Sequence, residues 1–424
     1  MNRIDHSRIT AADIERVIPF EVLIDRIAES RASALTECRR ALHQFPEPSG
    51  EETATTAFIA DRLKQLGIDA RIPDRGVGVI GDLRIGPKDD TTPIIALRAD
   101  IDALRMTDAK NVEYASQRSG FAHACGHDAH TTVILAAAEI LETVASRSQE
   151  SELPPMRFRF IFQPAEETAQ GAEWMISDGA LDGVQEILGL HMDPTIRAGR
   201  VGIRYGVLTA QVDDIHFLIH GRGGHAARPH DSSDPIAAAV LLVSTFYQQI
   251  PRNADALTPT VFTIGSIHGG TASNVIPDHV RLSGTLRSTD STTRAATVGK
   301  IRKICESVGA MTGNTIEPEF RMGLGAVIND YRVTSALEES ARLVIGSDNV
   351  VSIGRPSMGG EDFAAYIERI PGAQFRLGCA GDDRDWPLLH SPVFDIEESS
   401  MVVGARVLAR AALLLAMTPR RITT

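Results

Sequence analysis

Between His123 and His130, eight consecutive positions hold three histidines, one cysteine and one aspartate, in the run Phe-Ala-His-Ala-Cys-Gly-His-Asp-Ala-His that begins at Phe121. Imidazole nitrogen and thiolate sulfur are preferred ligands of zinc-like cations. Gly126 lets the backbone turn so that Cys125 and His127 can point at one place. An isolated Cys-x-His would serve equally well as a buried cysteine beside surface histidines; the density of the whole decapeptide reads as a metal site.

A chain of 424 residues is too long for one ordinary core, so two domains are expected. The formal charge of -12, with no cluster of Lys and Arg, argues against a nucleic-acid partner and leaves small solutes as the expected ones. Four scattered cysteines, Cys38, Cys125, Cys305 and Cys379, fit the reducing cytoplasm better than a disulfide framework. Met1 to Thr10 has charges but no apolar run, so no signal peptide is expected. Val402 to Met417 is apolar, but Arg406 and Arg410 interrupt it and it falls short of the ~20 residues that cross a bilayer. It reads as a C-terminal helix docked on the core, with no membrane partner.

Along the chain, helices over Thr36–His43 and Glu51–Leu66 flank a proline-glycine breaker. Pro93 to Ala99 reads as a buried strand that stops at Asp100-Ile101-Asp102. Functional groups in open α/β sheets collect beyond the carboxyl ends of strands, so both aspartates should face the crevice that holds the histidine motif. Thr131 to Ser146 has helical spacing, which puts the ligand loop at a helix N-terminus whose dipole favours the Cys125 thiolate. Arg157 to Gln163 alternates as a strand does and delivers Pro164-Ala165-Glu166-Glu167. Adjacent carboxylates repel unless a cation is near, so this pair suits one metal ligand and one base. Glu186 to Leu190 reads as a strand ending on His191, a third strand end with a ligand-type residue.

Near Gly199 the texture changes. Strands over Gln211–Gly221, Thr260–Ile267 and His279–Ser288, with a helix over Asp234–Gln249, read as an α+β insert of about a hundred residues. Its glycine-rich turn, Gly221 to His230, offers His225 and Arg228. Asn274 and Arg287 add neutral and cationic donors, which suits an anion-binding or oxyanion-stabilising face. Farther on, Ser357 to Phe363 is a glycine turn, Ala373 to Cys379 a strand, and His390 has no His or Cys close in sequence.

Seven of these stretches, taken in order, resemble the dinuclear-metal amidohydrolases that include hippurate hydrolases, N-acyl-amino-acid amidohydrolases and indoleacetyl-amino-acid hydrolases. They are Ala96–Leu104, His123–His130, Phe162–Glu167, Gly189–His191, Gly223–Ala227, Met358–Phe363 and Leu389–Pro392. The resemblance implies a catalytic α/β/α sandwich in two parts, 1–203 and 316–424, interrupted by a smaller α+β lid domain, 204–315, through which a homodimer forms. It implies two divalent metal ions per chain, Zn or Mn, held by Cys125, His127, Glu167, His191 and His390, with Glu166 as the catalytic base. His225 would serve the site of the partner subunit, Asn274 and Arg287 would meet the substrate, and Asp100 and Asp102 would orient ligands.

The implied reaction is hydrolysis of the amide of a small N-acyl-amino acid by a metal-activated water. A peptidase or carbamoyl-amino-acid hydrolase on the same scaffold is one alternative, and a catalytically silent metal-binding or redox-sensing protein is the other. Arg105 stands where the family usually has proline, at a place that would alter the pocket rim.

Overall fold

The computed structural model of the protein describes residues 8–87, 91–147, 153–253, 255, 257–383 and 385–420, so most of Met1 to Thr10 lies outside the described residues. The chain divides into two compact units. The first takes in the chain up to Leu208 together with Ile328–Arg355 and the chain from Asp362, and the second is Thr209–Val327 with Pro356–Glu361.

The first unit is built on an eight-stranded mixed sheet. Its strands are β1 (Asp69–Arg71), β2 (Val79–Ile85), β3 (Ile94–Asp100), β4 (Met156–Gln163), β5 (Val184–Arg197), β6 (Val201–Ile203), β7 (Val350–Ser352) and β8 (Gly372–Ala380). They lie in the order β1-β2-β4-β3-β5-β8-β6-β7. β3 runs parallel to β4 on one side and to β5 on the other, so the chain leaves it in two directions. That reversal opens a crevice at the carboxyl ends of these strands.

Every residue of β3 is buried, as expected of a strand covered on both faces. Leu97 and Ala99 share one core with Phe158, Phe160 and Phe162 of β4 and with two helices, α3 (His127–Arg147) and α5 (Ser400–Met417). On the opposite face, the Phe363 ring lies where a side chain at Gly189 would stand. Three further helices of this unit are α1 (Ala32–Gln44), α2 (Thr53–Gln65) and α4 (Tyr331–Ile345). α5 is long and apolar enough to cross a membrane by length and composition, but most of it is buried inside this unit.

Two expectations change here. α3 begins at His127 and not at Thr131, because the Gly126 carbonyl already accepts from Ala129 and His130 N–H. His127 therefore sits on the helix itself. β5 continues to Arg197, so His191 lies inside a strand and not at its end. Parallel pairing with β8, which sets His191 opposite Arg376 and Met192 opposite Leu377, carries the strand onward.

The second unit has a four-stranded antiparallel sheet, ordered Thr260–Gly269, His279–Ser288, Gln211–His220, Thr315–Leu324. Its own core gathers Phe217, Phe246, Leu282 and Ile301. The expected bounds of 204–315 differ from this unit at both ends. Thr315–Leu324 pairs antiparallel with Gln211–His220, which carries the unit on to Val327, and Pro356–Glu361 joins it as a separate piece.

One buried network ties α1 to the head of α3. Arg39 is fully buried and donates to Asp128 Oδ2 at 2.8 Å and to Asp395 Oδ1 at 2.9 Å. His43 meets the same Asp128 oxygen at 2.6 Å and Asp108 at 3.3 Å. Burial works to raise the Asp128 pKa, but the charges of Arg39 and His43 win and hold it well below 3.8. Arg39→Met should leave three carboxylates, Asp128, Asp395 and Glu398, short of a partner and destabilise the fold by about 3–5 kcal/mol, read as a lower unfolding midpoint. A carboxylate depressed in the folded state contributes fully above its unfolded pKa and loses that contribution as pH falls through the folded one. The gap between wild type and R39M should therefore be largest above pH 3.8 and close on acidification.

Candidate metal centre

The carboxyl ends of β3 and β4, the head of α3, the middle of β5 and the loop at His390 bring the predicted residues together. Asp100 is the last residue of β3, and Asp102 follows two positions on; both are fully buried. Cys125 and His127 flank Gly126, which adopts a φ of 91°. A side chain at Gly126 would meet Met192 Cγ at 3.0 Å, so glycine fits both the turn and the close approach. Glu166 and Glu167 follow Ala165, which sits at φ 54°, and His390 itself has φ 61°. Such left-handed backbone in residues other than glycine is unusual and clusters at functional sites.

Hydrogen bonds fix which atom each ring presents. His127 Nδ1 lies 3.0 Å from the Asp102 carbonyl and 3.2 Å from its Oδ1, which commits that nitrogen as the donor. His127 Nε2 is buried with no hydrogen-bond partner. His191 Nδ1 donates to the Met192 carbonyl at 2.7 Å, leaving Nε2 3.6 Å from Cys125 Sγ. Glu167 Oε1, also buried without a hydrogen-bond partner, is 3.6 Å from His390 Nε2 and 3.9 Å from His127 Nε2.

Three overlapping sets of donor atoms lie within 4.8 Å of one another: Cys125, His127 and His191; Cys125, Glu167 and His390; and His127, Glu166 and Glu167. A fourth set, Asp100, His127 and His130, is chemically unsuitable. His130 gives its Nδ1 to Asp100 at 2.6 Å and accepts the Met192 N–H on Nε2 at 2.8 Å, so neither nitrogen remains for an ion.

Electrostatics agree with a cation at this place. Burial works against charge on His127, yet the Asp100 carboxylate and the hydrogen bond to Asp102 more than offset it and hold the ring well above its ordinary pKa. Positive charge is thus favoured where the buried carboxylates converge. Burial, with Arg376 nearby, keeps His191 well below its ordinary value, hence neutral, the form that binds metal. Burial also pushes the Cys125 thiol well up. Partnerless buried donors and a mixed sulfur, nitrogen and oxygen set fit divalent cations.

The other predicted residues lie in the second unit. His225 and Asn274 are exposed; His225 lies on a short strand paired with Val275–Ile276, and Asn274 is the turn residue just before that second strand, while the Arg287 guanidinium donates to the Met358 carbonyl at 2.7 Å. Arg105 is exposed and paired with Glu51 at 2.7 Å. Sequence reasoning does not pick out Ser49, whose hydroxyl donates to Asp102 at 2.6 Å. Nor does it find the fully buried Arg98, which donates to Asp100 and Asp362 at 2.8 and 2.7 Å. No spacing signals either contact.

A buried crevice at a strand-order reversal, with a thiol, three imidazoles and paired carboxylates converging, defines a metal-dependent hydrolase. Comparison with known proteins narrows the class. The family model for "Peptidase family M20/M25/M40" matches residues 96–414, and the chain belongs to that family. It is similar to a probable hydrolase of Synechocystis, 41% identical over 92% of this chain and 97% of that protein. It is also similar to the N-acetyl-L-cysteine deacetylase of Bacillus subtilis, 38% identical over 88% of this chain and 86% of that one. Among solved structures, the Bacillus subtilis YXEP protein, described as a dinuclear metal binding peptidase from the M20 family, superposes with a TM-score of 0.79. It is 33% identical and covers 92% of this chain and 99% of its own. The chain is accordingly a metal-dependent amidohydrolase that binds divalent cations.

Asp102 serves three neighbours at once, so Asp102→Ala should weaken metal binding by about 10–100-fold, measured by competition with a chromophoric chelator. Unchanged affinity would show that His127 needs no such support.

Proposed function

We propose that the chain hydrolyses the amide bond of small N-acyl-amino acids. The observation that carries the reading is the pair of buried, partnerless ligand atoms, His127 Nε2 and Glu167 Oε1, converging with Cys125, His191 and His390 beside a second carboxylate, Glu166. Cys125, His127, Glu167, His191 and His390 are assigned as the ligands. When bound, two divalent cations supply Lewis acidity toward the scissile carbonyl and lower the pKa of water.

Glu166 is assigned as the base. Its Oε2 stands 4.0 Å from His127 Nε2, close enough to take a proton from an attacking water in the same crevice. It then delivers that proton to the leaving nitrogen. A carboxylate in this role must not be held by a cation, so Glu167, whose Oε1 stands 3.6 Å from His390 Nε2 and 3.9 Å from His127 Nε2, is assigned the ligand's part. Asp102 and His130 hold the ligand rings and strands in place throughout. His225, Asn274 and Arg287 are assigned to the substrate's polar groups.

The relative that deacetylates N-acetyl-L-cysteine supports the N-acyl-amino-acid reading. The solved relative described as a peptidase favours dipeptides as a second substrate class on the same site. A thiol-based sensor is disfavoured, because Cys125 is buried and its thiol is pushed up. The four free cysteines agree with a cytoplasmic location. A homodimer through the second unit is supported by its edge strand Thr260–Gly269, which exposes Val261 and Ile267, and by Val240 and Tyr247 exposed on the helix Pro235–Asn253. A monomer in sedimentation equilibrium would end that proposal.

The protein stripped with chelator and reloaded with Zn²⁺ or Mn²⁺ should regain hydrolysis of an acetyl, benzoyl, carbamoyl or dipeptide panel, which names both the metal and the substrate class. Glu166→Gln should lower kcat by ~10²–10⁴ while keeping its metal. Loss of metal in that variant would make Glu166 a ligand and sink the assignment.

A further inference from the structure

One buried carboxylate lies against the Glu166 turn without belonging to any ligand set. Glu52, at the head of α2, is fully buried and makes no capping bond to its own helix. Its Oε1 instead accepts the Ala165 N–H at 2.8 Å, 113 residues away. Its Oε2 has no hydrogen-bond partner. Burial pushes its pKa up to about 7, against the pull of the backbone amides around it.

The bond falls at a telling place. Ala165 holds the left-handed φ of 54° that turns the chain out of β4. On the far side of Glu166, the Glu167 N–H donates to Asp102 Oδ2 at 3.0 Å. The N–H groups of the residues before and after Glu166 are therefore each held by a buried carboxylate oxygen. The Pro48–Glu52 segment reaches both, since Ser49 donates to the same Asp102 oxygen.

We propose that Glu52 is a positioning residue: it pins the Pro164–Ala165 peptide while Asp102 pins the Glu166–Glu167 peptide, and together they set where the Glu166 carboxylate stands relative to Glu167. The proposal rests on the reading of Glu166 as the base. The bond needs an oxygen at the right reach and not a charge, which makes a specific pattern of variants decisive.

The experiment uses metal-loaded full-length protein, with metal content and thermal melting recorded for each variant. E52Q keeps an oxygen at the same reach and should hold kcat within about threefold of wild type. E52D keeps the charge but withdraws the oxygen, and E52A removes it; both should lose ~10–100-fold in kcat with KM little changed and metal retained. Should E52A fail to fold, the contrast between E52D and E52Q decides alone. An active E52D, an E52Q as impaired as E52D, or activity loss that only tracks lost metal or lost folded protein would overturn the proposal. E166Q, assayed alongside, separates the two readings. Full turnover in E166Q removes the base assignment, whereas an inactive E166Q beside a fully active E52D removes only the role given to Glu52.

Discussion

The Asp102 carboxylate is fully buried with a histidine ring, a serine hydroxyl and a backbone amide on its oxygens. Burial would raise its pKa, but the hydrogen bonds of His127, Ser49 and the Glu167 amide hold it below the ordinary value. A charge kept in a low-dielectric interior must be met by donors, and those donors are held in turn. Through His127 this constraint reaches α3, through Ser49 the loop before α2, and through the Glu167 amide the turn after β4. Three segments distant in sequence are thereby placed around one point.

The same logic recurs one step outward. Asp100 accepts from Arg98 and His130, and His130 passes the constraint to the Met192 amide beside His191. Arg39 and His43 hold Asp128, the neighbour of His127. The segments that carry His127, His191 and Glu167 are thus fastened by buried polar groups on neighbouring elements, while their candidate donor atoms are left facing one another. The sheet supplies the stage for this, because the switch at β3 gathers the carboxyl ends of β3 and β4 beside the middle of β5.

Local pattern was enough wherever the determinant was local. The alternation from Arg157 to Gln163 marks β4 to within one residue, and the apolar run stopping at Asp100 marks the end of β3. The density from His123 to His130 marks the head of α3, although not that His127 belongs to the helix. Features set by distant partners were not readable. His191 lies inside β5 because β8 extends it, and Thr315–Leu324 belongs to the second unit because Gln211–His220 pairs with it. His390 reaches Glu167 only through a loop whose backbone turns left-handed, and the contact from Glu52 spans 113 residues. Periodicity carries no trace of such pairings, which the tertiary fold alone creates.

The most direct measurement is the anomalous scattering of crystals grown from metal-loaded protein, collected on either side of the metal's absorption edge. The account predicts two peaks bounded by Cys125, His127, Glu167, His191 and His390, with the Glu166 carboxylate bound to neither and both nitrogens of His130 still hydrogen-bonded to protein. A single peak, or one ligated by Glu166 or His130, would contradict it.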